Sequence, residues 1–209
     1  EKSYKEFLAT AKISKDVKQT QRIKRIGNKI ALAAKRPDFK WEFNLIDDPQ
    51  VNAWCMPGGK VVVYTGILKM AQNDDQLATV MAHEVSHALA RHGAERMSHQ
   101  QISSGIKQLG NILLGATAPG YANAFNIAYG YGTQYGVMLP FSRSHEHEAD
   151  EIGIHLMHKA GYDMHAAVKF WQNMKAAKGT APAEFFSTHP SDDNRIKEIQ
   201  KIIEDIESK

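Results

Sequence analysis

His83-Glu84-Val85-Ser86-His87 decides how the rest of the chain is read, together with Asp74-Asp75-Gln76-Leu77-Ala78-Thr79-Val80-Met81-Ala82 before it and Ala88-Leu89-Ala90-Arg91 after it. Leu77, Val80, Met81, Ala88 and Leu89 recur at helical spacing, and Asn73 or Asp74 supplies an N-cap. No Gly or Pro interrupts from Asp74 to His92, so the stretch is predicted as one largely buried helix. Residues four apart share a helix face, so His83 and His87 can both reach one zinc ion. Glu84 projects about a third of a turn away, near the open coordination position, where a carboxylate can take a proton from an attacking water. Two imidazoles at this spacing, with a carboxylate directly after the first, are a zinc-site signature. A chance pair of packing or solvent-facing histidines is the alternative that the helical context argues against.

A catalytic zinc needs a third protein ligand. One known route, a histidine six residues after the second with a glycine between them, is closed here, because those positions are Gly93 and Ala90. His92 is one residue out of register and reads as a surface cap near a helix C-terminus. The other route is a carboxylate from a second helix, supplied by Phe141-Ser142-Arg143-Ser144-His145-Glu146-His147-Glu148-Ala149-Asp150. Ser142 or Ser144 can cap a helix that runs on through Met157 and stops near Gly161. Glu146, Ala149, Asp150, Gly153 and Met157 share one face, and Glu148, Glu151, His155 and Lys159 a more polar one. Glu146 is therefore the favoured third ligand, with Glu148 next and His145 and His147 as further competitors. Asp150, one turn below Glu146, can accept the second ring N–H of a ligand histidine. Gly153 would let this helix approach the His83/His87 helix closely.

His83-Glu84-Val85-Ser86-His87, then Ser142-Arg143 with Glu146 and Asp150, then Thr188-His189-Pro190, resembles the HtpX and CAAX-prenyl-protease family of gluzincin metallopeptidases. The likeness is greatest to its soluble envelope members of the LoiP and BepA type, and it runs from about Val51 to Arg195. It includes Asn52-Ala53-Trp54 and Pro57-Gly58-Gly59-Lys60-Val61-Val62-Val63, similar to the family's strand pair beside the active site. The resemblance implies a zinc endopeptidase acting on unfolded or misassembled proteins, with the metal on His83, His87 and Glu146. It places His189 beside the zinc, either as a donor to the oxyanion or as a resting-state ligand. It also implies a bacterial periplasm or cell-envelope location. Arg195 can brace the site through Asp150 or Glu146. Asn52 and Ala53 are candidates for an edge strand to which a substrate peptide adds.

Composition agrees with this reading. The chain has 209 residues, 43% of them hydrophobic, enough for one domain with a real core. A net charge of +3 is too mild to argue for a nucleic-acid partner. Lys12, Lys15, Lys18, Arg22, Lys24, Arg25 and Lys29 surround Ile13, Val17, Ile23, Ile26 and Ile30, the pattern of an amphipathic helix with a solvated basic face. No stretch is long and apolar enough to span a bilayer, so any membrane association is expected to be peripheral or through a lipid anchor. The one cysteine, Cys55, excludes an intrachain disulfide and reads as a small buried hydrophobe in a strand.

The expected architecture is α+β and mainly helical, a zincin-like metallopeptidase fold with a small three-stranded sheet beside the active-site helix. A first helix runs to about Lys35, and strands follow at Trp41–Ile46, Val51–Met56 and Lys60–Thr65, the last two across a Pro57-Gly58-Gly59 hairpin turn. Residues 1–209 read as one metallopeptidase domain. Within it, Ser103 to Leu139 holds Gly105, Gly110, Gly115, Gly120, Gly130, Gly132 and Gly136, and suggests a mobile lid or plug over the cleft. The function expected is zinc-dependent endopeptidase activity with one catalytic ion and Glu84 as general base. The alternative is a latent or non-proteolytic zinc protein serving as a chaperone or assembly scaffold at the envelope.

Overall fold

The computed structural model of the chain describes residues 2–93, 95, 98, 108, 109, 138–177, 189 and 194–209. Its elements are α1 (Lys2–Thr10), α2 (Val17–Ala34), β1 (Glu42–Ile46), β2 (Ala53–Met56), β3 (Lys60–Tyr64), a 3-10 turn (Thr65–Lys69), α3 (Asp74–Leu89), α4 (Met138–Lys159), α5 (His165–Ala176) and α6 (Arg195–Glu207). The fold is α+β and mainly helical with a small mixed sheet, as the sequence indicates. Most of the glycine-rich stretch from Ser103 to Leu139 lies outside the described residues.

The sheet order is β1-β3-β2, with β3 parallel to β1 and antiparallel to β2. Pro57-Gly58-Gly59 makes the β2–β3 turn, and both glycines take left-handed angles, φ 89° and 91°, that side chains with a Cβ adopt only under strain. Alternation along the strands gives the sheet two apolar faces. Phe43, Leu45, Val61 and Val63 join the main core with α2 and α3. Val62 and Ile46 point the other way, onto Tyr4 of α1. The N-terminal region is two helices rather than the single one expected. Ala11–Asp16 leaves the helical path because Asp16 caps α2, accepting from Gln19 N at 3.0 Å, and because Ile13 bridges to Ile46.

α3 is the hub: α2, α4, α5, β2 and β3 all pack on it. Asn73 caps it, accepting from Gln76 N at 2.8 Å. Asp74 in its first turn faces the positive end of the helix dipole and accepts from Arg22 Nε and Arg25 Nη2 of α2, each at 2.6 Å. α4 begins at Met138, before the expected Ser142 or Ser144 cap, since Pro140 is tolerated within a first helical turn. Gly153 carries the close α3–α4 contact: a Cβ there would lie 3.3 Å from His83 N and 3.4 Å from its Cα.

Two outcomes follow for stability. Burial pushes the Asp74 carboxyl up, but Arg22 and Arg25 outweigh it and hold it below its ordinary value. Its contribution is therefore fully present above the unfolded carboxyl pKa of about 3.9 and is lost as pH falls below that value through the lower folded-state pKa. Asp74→Asn should lower the unfolding free energy by about 0.5–1 kcal/mol at pH 7, a modest figure for a partly exposed pair. Parallel urea titrations should show the gap beginning to narrow near a pH of about 3.9 and closing at lower pH; a gap that does not change with pH would show that charge is not its cause. Gly153→Val should cost about 1–3 kcal/mol by forcing α3 and α4 apart, read as a lowered thermal midpoint.

Candidate active site

α3 and α4 cross where Gly153 meets the His83 backbone, and this contact sets the two helices' polar residues against each other. Glu146, Ala149, Asp150, Gly153 and Met157 are buried along one side of α4, while His147, Glu148, Glu151 and Lys159 are exposed. From α3, His83 and Glu84 are buried and His87 is partly so. His189 reaches the same place from the chain preceding α6 and is also buried.

The donor atoms of His83, His87, Glu146 and His189 all lie within 4.8 Å of one another. His83 Nε2 is 3.0 Å from His87 Nε2 and 3.2 Å from Glu146 Oε2. His87 Nε2 is 3.2 Å from Glu146 Oε1. His189 Nδ1 is 3.2 Å from both Glu146 oxygens and 3.3 Å from His83 Nε2. Around a four-coordinate ion about 2.0–2.1 Å from its ligands, neighbouring donor atoms sit roughly 3.3 Å apart. The spacing in the cluster is close to that value. Two imidazole nitrogens facing each other across 3.0 Å can share at most one proton between them, whereas a cation at the centre suits all the lone pairs at once. The residues fit a metal ion.

Charge is arranged around this cluster in layers. Burial disfavours a proton on His83, but Glu146 and Asp150 outweigh it and push its pKa up to about 9. Burial pulls His87 down to about 3. Glu146 is pushed up by burial, yet His83, His189 and His87 together hold it well below the usual carboxylate range. His83 Nδ1 is 2.9 Å from Asp150 Oδ1. Arg195, the first residue of α6, donates to Asp150 from Nε at 2.6 Å and from Nη2 at 2.7 Å, and to Glu146 from Nη1 at 3.0 Å. The guanidinium lies 3.5 Å from the centre of the Trp171 ring, a cation–π contact. Glu84 is buried, which raises its pKa; its Oε1 is 3.3 Å from His189 Nε2 and accepts no hydrogen bond among the described residues.

The cluster opens on a cleft of about 240 Å³ whose lining includes Asn52, Ala53, Trp54, Cys55, Glu84, His87 and His189. Two readings of the sequence change here. His92 is not a surface cap: it is 2% exposed and folded back beneath His87. Cys55 is only partly buried and lines the cleft wall. The last helix starts at Arg195, and residues 190–193 lie outside the described residues. Glu148, the second choice as ligand, points away from the cluster and pairs with His92 at 3.1 Å. His145 stacks on His92 and approaches Glu95 at 3.2 Å, also outside the cluster. Trp171 gave no signal beyond the apolar spacing of its helix, because its role depends on an arginine brought from another element.

Comparison with known proteins agrees with this geometry. The sequence profile of peptidase family M48 matches residues 17–203. The mitochondrial metalloendopeptidase OMA1 of Schizosaccharomyces pombe is 40% identical over 181 residues, 86% of this chain and 51% of its own length. OMA1 of Saccharomyces cerevisiae is 38% identical over 171 residues, 78% of this chain and 47% of its own length. The beta-barrel assembly-enhancing protease of Escherichia coli is 32% identical over 201 residues, 94% of this chain and 41% of its own length. The chain thus spans about half the length of the relatives it matches. No described helix is long and apolar enough to cross a membrane. With a metal-fitting His/Glu cluster on two packed helices and a profile match over most of its length, this chain belongs to peptidase family M48, whose members are metallopeptidases.

Proposed function

We propose that the chain is a zinc-dependent endopeptidase that hydrolyses peptide bonds of unfolded or misassembled proteins. The observation that carries the reading is the convergence of the His83, His87 and Glu146 donor atoms beside the buried Glu84 carboxylate, at the base of a cleft bordered by β2. His83, His87 and Glu146 would hold one zinc ion, since three protein ligands leave a fourth position for a reactant. When bound, zinc supplies Lewis acidity, polarising the peptide carbonyl and easing deprotonation of water.

The chain's own residues carry the remaining work. Glu84, with its pKa raised by burial, takes the proton of the attacking water and returns it to the leaving amine. His189, its Nε2 turned towards Glu84, donates to the oxyanion. Asp150 keeps the proton on His83 Nδ1, so that Nε2 presents its lone pair. Arg195 anchors both Asp150 and Glu146. In the β2–β3 register the Asn52 carbonyl accepts from Tyr64 N, which turns the Ala53 backbone outward, towards the cleft. A substrate strand added along Asn52 and Ala53 is held by main-chain hydrogen bonds and needs little side-chain preference, which suits unfolded proteins. We treat residues 1–209 as one metallopeptidase domain; the glycine-rich stretch expected to form a lid or plug lies mostly outside the described residues. The proposed location, a bacterial periplasm or cell envelope, draws on the relative named for β-barrel assembly, while the relatives named as mitochondrial point to an organelle; fractionation of the native host separates the two.

One observation favours a second reading. His189 Nδ1 sits among the donor atoms as a fourth ligand would. In that case the resting chain is latent, a zinc protein acting as a chaperone or scaffold until His189 leaves.

Casein hydrolysis by the zinc-loaded chain tests the main reading. Glu84→Gln should retain zinc and fold and lose at least about 100-fold in rate, and chelation should abolish activity until zinc is returned. Near-normal turnover by zinc-loaded Glu84→Gln would remove Glu84 as the base. His189→Ala separates the two readings: a loss of about 100-fold or more marks an oxyanion donor, whereas a gain in rate marks a resting-state ligand.

A further inference from the structure

His92 is buried directly behind His87, and nothing in the hydrolytic scheme above uses it. Arg91 takes a left-handed conformation, φ 61°, at the end of α3, and this turn brings the next residue back against the helix. His92 Nδ1 then lies 2.8 Å from His87 Nδ1, and His92 Nε2 lies 3.1 Å from Glu148 Oε2 on α4. The ring of His145 stacks on His92 with centroids 4.0 Å apart and planes 10° apart, which fixes the ring without occupying its nitrogens.

We propose that His92 and Glu148 are positioning residues that set the tautomer and orientation of His87 for metal binding. The inference rests on the reading that His87 ligates through Nε2, the atom facing His83 and Glu146. A neutral imidazole carries one proton, so an Nε2 lone pair aimed at the metal puts that proton on Nδ1. His92 Nδ1 is the hydrogen-bond partner of that atom among the described residues. To accept, His92 must carry its own proton on Nε2, and there the Glu148 carboxylate accepts it. Each assignment forces the next. The reverse chain would place a proton on His87 Nε2, against His83 Nε2 at 3.0 Å, and would remove the lone pair needed for ligation. The two ligand histidines are thus oriented by the same kind of group at different removes. His83 meets the Asp150 carboxylate directly at 2.9 Å, and His87 meets a carboxylate through one intervening imidazole.

The outer end of this relay is accessible: the Glu148 side chain is 57% exposed, so it can be changed without opening the core. The test is zinc affinity of the full chain, measured by competition with a chromophoric chelator, together with the thermal midpoint of the metal-free protein. Glu148→Ala and His92→Phe should each weaken zinc binding, by up to about 10- to 100-fold, with the metal-free midpoint of Glu148→Ala unchanged. His92→Gln, whose amide oxygen can accept from His87 Nδ1, should recover part of the loss. The double variant should bind no more weakly than His92→Phe alone, because Glu148 acts only through His92. Glu151→Ala, an equal change of charge at an exposed site on the same helix, should leave affinity at the parent value. Parent-like affinity in both Glu148→Ala and His92→Phe overturns the relay, and so does an equal loss in Glu151→Ala. Failure of the parent to bind zinc would instead overturn the metal site itself, and the relay with it.

Discussion

The structure turns on a concentration of buried charge at the α3–α4–α6 junction. Glu84, Glu146, Asp150 and Arg195 are each at most 7% exposed, together with His83 and His189. Removing such groups from water is expensive unless every one finds a partner. The Arg195 guanidinium answers two carboxylates at once and spends its open face on Trp171. Loss of one member would strand the others, a situation that typically costs about 3–5 kcal/mol. The helices are therefore locked in register by their polar residues as much as by their apolar ones. A metal ion at the cluster centre adds positive charge where carboxylate and imidazole lone pairs converge, so metal binding and helix packing reinforce each other.

The sheet plays a quieter part. It is thin, three strands with β2 at one margin, and α1 covers the face turned away from the main core. This places β2 beside α3, so that the strand's backbone and the Glu84 carboxylate share one cleft. Side chains dominate the chemistry on the helix side. On the strand side the proposed contact is through the backbone, and a backbone reads extension rather than sequence. That division suits the action on unfolded chains proposed above.

Much of this was legible in the linear chain, and particular residues show why. His83, Glu84 and His87 could be assigned together because a helix converts a fixed spacing into a fixed direction, and the apolar positions around them established the helix. Glu146 and Asp150 followed from the same argument on a second helix, where face alone separates them from Glu148. The hairpin at Pro57-Gly58-Gly59 was legible because few residue types accept the backbone angles it uses. His92 was misread for a reason of the same kind. Position near a helix end suggested solvent, and only the left-handed turn at Arg91, a conformation rare outside glycine, carries it back into the interior.

The sequence by itself determined the donor types, their periodic placement on two helices and the alternation of the strands, because these follow from local backbone geometry. Family resemblance, rather than any spacing, put His189 and Arg195 at the cluster, and only the tertiary structure decided that Trp171 lies against the guanidinium and that His87 is backed by His92 and Glu148. Those residues come together from segments far apart in the chain. What joins them is the need of each buried charge or ring nitrogen for a partner, and no spacing along the sequence records which partner it finds.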